Sequence, residues 1–130
     1  MQRNLHKKIT LVAALNVATN SMKKYVAEAL GTFALVFCGT GAMVINQQTN
    51  GAVTHVGISI TFGFIVMAMI YTLGNISGAH LTPAVTIAFT LAKRFQLKQV
   101  LPYVVAQLAG AILANCVGNP QPKPKSASGL

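Results

Sequence analysis

From residue 25 to residue 92 the chain carries one formally charged side chain, Glu28. About a quarter of the residues of an ordinary soluble domain are charged. Here the figure is 8% of 130 residues, with 53% hydrophobic, so a water-facing surface cannot be assembled. The fold has to be built in a membrane. The remaining charges are ten Lys and Arg, and they sit at the ends of apolar stretches: Arg3, Lys7, Lys8, Lys23 and Lys24, then Lys93, Arg94 and Lys98, then Lys123 and Lys125. The formal charge of +9 is therefore read as a topology signal and not as a nucleic-acid-binding surface.

Three apolar stretches are long enough to cross a bilayer: residues 25–45, 52–73 and 100–117, the last near the minimum length. In hydrocarbon every backbone N–H and C=O must be paired internally. The stretches are rich in Ala, Leu, Val and Gly without the strict alternation of barrel strands, so they are expected to be helices. If the first two spans form a hairpin, eight basic residues lie on one side and two on the other. That asymmetry predicts a cytoplasmic amino terminus and an external carboxyl terminus, in a plasma or inner membrane.

Residues 1–24 read as a cytoplasmic basic segment holding a short interfacial helix, or as an extension upstream of an internal start at Met22. A signal peptide fits less well. The apolar run of residues 9–15 is short, Asn16 and Asn20 follow it, and no small-residue cleavage site is well placed. At the other end, residues 119–130 turn abruptly to Pro, Lys and Ser, a composition expected to be disordered. A linker or a lost reading frame would give the same composition.

Between the second and third stretches lies Ser77-Gly78-Ala79-His80-Leu81-Thr82-Pro83-Ala84-Val85-Thr86. Thr82 is a good helix N-cap and Pro83 is preset for the first helical position. Only a short apolar run separates Pro83 from Lys93 and Arg94, too little to cross a bilayer. Residues 75–92 are therefore expected to form a re-entrant loop and a half helix. The fold class is all-α, with three transmembrane helices and one re-entrant half helix. Small residues at four-residue spacing, Ala27 with Gly31 and Ala106 with Gly110 and Ala114, predict close helix contacts.

The run from Ala27 to Phe33, the pair Phe62-Gly63, the run from Gly78 to Thr86 and the block from Tyr103 to Gln107 resemble the first half of the aquaporin and glycerol-facilitator family, the major intrinsic proteins. The resemblance covers about residues 24–118. It implies one of two inverted repeats, whose loops meet at the bilayer centre in the complete channel. By that alignment Gly78, Ala79, His80, Leu81, Thr82, Pro83 and Ala84 form the pore signature loop, with the carbonyls of residues 78–81 lining the lumen and His80 beside them. Phe62 falls at the outward constriction, and Glu28 and Gln107 are expected to hydrogen-bond the loop backbone and support it. The family usually has Asn where this chain has Thr82, so one lumen donor replaces two.

No catalytic group is expected, because no carboxylate pair, activated nucleophile or phosphate-binding Gly loop occurs. No cofactor or metal is expected either: His6, His55 and His80 are scattered, and Cys38 and Cys116 read as buried thiols in packed helices. The resemblance implies a passive channel for water or small neutral solutes, in a lipid bilayer, present as a half-length chain that does not conduct alone. Its partners would be a second-repeat chain or a full-length channel in a family-like tetramer. The rival reading is a non-conducting membrane subunit or a truncated product that assembles with full-length channels.

Overall fold

The computed structural model describes residues 2–118, with side chains from residue 7 onward; the tail at 119–130 lies outside the described residues. Four helices follow one another: α1 (Gln2–Gln48), α2 (Thr54–Ser77), α3 (Pro83–Leu91) and α4 (Leu97–Gly118). Among the described residues there is no strand. Three helices, α1, α2 and α4, are long and apolar enough to cross a membrane.

A break between a basic segment and the first span is absent. α1 is one helix of 47 residues, about 70 Å long. The physical reason is local: residues 2–30 contain neither Gly nor Pro, so nothing interrupts the ladder before Gly31. The helix is more than twice as long as the ~30 Å hydrocarbon layer requires.

α1 turns into α2 through residues 49–53. Asn50 and Gly51 adopt positive φ (53° and 94°), and Gly51 N–H closes the turn on the Asn46 carbonyl at 2.8 Å. The Asn46 side chain accepts the Thr54 N–H at 2.8 Å, tying the turn to the start of α2. α2 runs one turn beyond the expected end at residue 73 and stops at Gly78, whose φ of 90° a Cβ would disfavour.

α1 is the central element, packed against α2 on one side and α4 on the other, and α4 in turn carries α3. The inward stripe of α1 is Ala27, Glu28, Gly31, Thr32, Leu35 and Gly39, at helical spacing. The facing stripe of α4 is Tyr103, Gln107, Gly110 and Ala114. Gly110 lies so close to the Ala29 carbonyl that a Cβ there would collide with backbone. Small residues thus set the α1–α4 distance, as is common where helices associate in lipid.

Cys38 is half-buried and Cys116 exposed, which corrects the expectation of two buried thiols. Both lie off the inward stripes. A small cluster of Leu35, Ala79 and Leu81, with Phe62, Ile65, Val66 and Met69 packed against it, joins the loop to α1 and α2.

Candidate functional site

The chain between α2 and α3 is an irregular loop at the middle of the bundle, built of residues 78–82. Ala79 and Leu81 have φ of 47° and 60°, left-handed values that cost a non-glycine residue about 1 kcal/mol each. Something must hold them there. Glu28 does: Oε1 accepts the Ser77 hydroxyl at 2.6 Å and the His80 N–H at 3.0 Å. Oε2 accepts the Leu81 N–H at 2.8 Å and the Gln107 amide at 2.8 Å. These four bonds fill the acceptor capacity of a carboxylate, which is what a fully buried Glu in a span requires.

A second tier surrounds the first. The Ser77 hydroxyl oxygen accepts the Ala79 N–H at 3.1 Å, and the Tyr103 hydroxyl donates to the Ser77 carbonyl at 2.8 Å. Thr86, on the first turns of α3, is fully buried, accepts the Gln107 amide at 3.0 Å, and lies 3.2 Å from His80 Nδ1. Its hydroxyl also reaches the Thr82 carbonyl at 3.2 Å. The Gln107 side-chain oxygen is buried without a hydrogen-bond partner.

His80 sits among aromatic rings, stacked on Phe89 at 4.9 Å and in contact with Phe95 and Tyr103 at 4.8 and 5.3 Å.

The loop carbonyls differ from the row of four expected from the resemblance. The Leu81 carbonyl accepts the Thr32 hydroxyl of α1 at 2.8 Å, and the His80 carbonyl closes a tight turn on the Thr82 N–H at 2.7 Å. Among the described residues no hydrogen bond reaches the Gly78 or Ala79 carbonyl. Gln107 also acts differently from the expectation, touching the loop backbone only through Glu28 and Thr86. Glu28 stands between them, accepting the Gln107 amide on one oxygen and the His80 and Leu81 N–H groups of the loop.

Thr82 is half-buried and extended (φ −142°, ψ 147°), and its hydroxyl accepts the Val85 N–H at 3.4 Å, a long N-cap bond. Pro83 is the first helical residue of α3, whose nine residues reach only about 13 Å. Ala84 is exposed, beside Thr82. Phe62 lies half-buried on α2, packed against Gly39 of α1 and against the Leu35, Ala79 and Leu81 cluster.

Sequence reasoning assigned no role to Thr32, Ser77, Thr86 or Tyr103, although all lie within or next to the four motif blocks. A signal was present. Tyr103 and Gln107 are one helical turn apart and share a face, and polar side chains in a span turn inward to partners.

The half helix starting at a strained loop and suspended from a buried carboxylate places the chain among membrane proteins with re-entrant segments. The family model for the major intrinsic proteins matches residues 16–120, and the chain belongs to that family. It is an integral membrane protein. It is 50% identical over 100 residues to "Aquaporin NIP1-1" of Arabidopsis thaliana, covering 77% of this chain and 34% of that protein. To "Aquaporin NIP1-2" of Oryza sativa subsp. japonica it is 53% identical over 89 residues, covering 68% and 29%. To "Nodulin-26" of Glycine max it is 48% identical over 99 residues, covering 76% and 36%. The chain spans about a third of the length of these relatives.

Proposed function

We propose that residues 25–118 form one repeat of a passive channel for water or small neutral solutes, with residues 78–84 as its half of the pore wall. The observation that carries this reading is the loop hung from Glu28, with the Gly78 and Ala79 carbonyls left without a hydrogen-bond partner among the described residues. Two free carbonyls one residue apart offer successive acceptors to a neutral hydrogen-bonding solute. The start of α3 faces the same region with the positive end of its helix dipole, which opposes cations while leaving neutral molecules unhindered.

Thr82 supplies the donor at that point. Its hydroxyl oxygen accepts one long bond and its proton stays available for a solute. Phe62 narrows the outer end. Glu28 and Gln107 act by positioning the loop and do not touch the solute.

The repeat does not close a pore alone. Neither α2 nor α3 is enclosed, and none of the most apolar window of α2 is buried. That face takes the complementary repeat, from a second-repeat chain or a full-length channel within a tetramer. Basic residues flanking the spans support a cytoplasmic amino terminus.

Stopped-flow osmotic shrinkage of liposomes tests the reading. Purified chain alone is expected to leave water permeability at the level of bare lipid, whereas chain reconstituted with a complementary second repeat gives fast, proton-excluding water flux. Single-file flux from the chain alone, with both orientations found by accessibility labelling, would contradict it. So would a reconstituted pair that stays closed to water and to every small neutral solute tried.

A further inference from the structure

Below the loop, where α2 ends and α4 begins, a polar cavity of about 530 Å³ opens beside Lys24, Asn75, Arg94, Gln96 and Gln99. No carboxylate lines it. The chain's one acidic residue is Glu28, and its two oxygens are already taken by four donors. The Lys24 ammonium and the Arg94 guanidinium thus share a cavity, and among the described residues neither has a hydrogen-bond or ion-pair partner.

Charge placement at span ends explains why cations lie at this depth. It does not explain why two of them converge on a recess with three side-chain amides. A guanidinium fork, an ammonium and amide N–H groups match the several acceptor oxygens of a phosphate, whereas a carboxylate offers only two. Lys93 and Lys98 flank the recess in sequence and strengthen the positive field around it. The cavity is several times larger than inorganic phosphate needs, and it sits where α2 and α3 end and α4 begins, among the basic residues that flank the spans.

We propose that this recess binds the phosphate group of an anionic lipid headgroup, with Lys24 and Arg94 as its charged ligands and the amides of Asn75, Gln96 and Gln99 as further donors. Gly78 and His80 of the loop line the same cavity, so the site adjoins the proposed pore wall, and the inference stands whether or not the chain conducts. Bound there, a phosphate would bridge α1 to the segment between α3 and α4, two parts joined nearby through the rings of Tyr25, Tyr103 and Phe95.

Native mass spectrometry of the full chain, titrated with dioctanoyl phosphatidic acid and with dioctanoyl phosphatidylcholine, tests the site. Phosphatidic acid is expected to bind the more tightly, and the double substitution Lys24→Gln with Arg94→Gln weakens it about tenfold, while Lys7→Gln with Lys8→Gln stays within about twofold. Circular dichroism checks that both variants remain helical. In the unsubstituted chain, phosphatidic acid is expected to slow acetylation of Lys24 but not of Lys7 or Lys8. Inorganic phosphate at millimolar concentration distinguishes the sources: displacement of the lipid supports a site open to free phosphate, and lack of displacement supports a headgroup site. Equal losses from the two double variants, equal binding of phosphatidylcholine, or unprotected Lys24 would overturn the proposal.

Discussion

At its inner end the re-entrant loop hangs from Glu28, which takes the N–H groups of His80 and Leu81 and the hydroxyl of Ser77. At its outer end Thr82 holds the first turn of α3 by one bond of 3.4 Å. Ser77, Ala79, His80 and Leu81 at the inner end are buried, so the donors that Glu28 accepts have little water to fall back on. The outer end is half-open, and a weak cap there leaves a hydroxyl free for a solute. The loop is thus fixed at the end that sets its shape and loose at the end proposed to meet the permeating molecule. The strain at Ala79 and Leu81 belongs to the same division, since both left-handed residues fall in the tightly held part.

Breaking the inner end is expected to have the largest effect. Glu28→Ala leaves two backbone N–H groups, a hydroxyl and an amide buried without their acceptor, and is expected to cost about 3–5 kcal/mol. Unfolding in increasing SDS, followed by circular dichroism, measures it; a loss below that of an ordinary surface substitution would remove Glu28 from its central place. Next comes Gly110→Val, which drives a branched side chain against the Ala29 carbonyl and separates α1 from α4, at about 1–3 kcal/mol by the same titration.

Thr86→Val removes a hydroxyl joined to Gln107, His80 and Thr82, and is expected to cost about 1 kcal/mol, since hydrogen bonds within membrane bundles are individually modest. Thr82→Asn sharpens the contrast from the other side. Asn caps as well as Thr, so stability should move by less than about 0.5 kcal/mol, while the second lumen donor changes water flux in a completed pore. Unchanged flux together with unchanged proton exclusion would take away the proposed role of the Thr82 hydroxyl.

How much of this was legible in the sequence depends on what each element answers to. The spans and the half helix follow from apolar length, and the α3 start at Thr82 and Pro83 follows from local capping, so both could be read directly. The unbroken α1 was also within reach, because residues 2–30 hold no breaker, yet a basic, Asn-containing segment invites a division that the backbone does not make. The position of Glu28 in a span announces that it has partners. Which partners could not be read: the pairing of its oxygens with residues about 50 and 79 positions away depends on how α1, α4 and the loop pack together. The turn of the Leu81 carbonyl towards Thr32 is equally non-local, and it narrows the free carbonyls to two.

The central claim, that Glu28 is the main anchor of the inner end of the loop, is tested most directly by hydrogen exchange at the His80 and Leu81 amides in the chain and in Glu28→Ala. The prediction is that both amides are strongly protected in the unsubstituted chain and exchange freely in the variant, while amides in the middle of α1 and α4 stay protected in both. If His80 and Leu81 remain protected after the carboxylate is removed and the helices are intact, the loop is held by other contacts and the account is wrong.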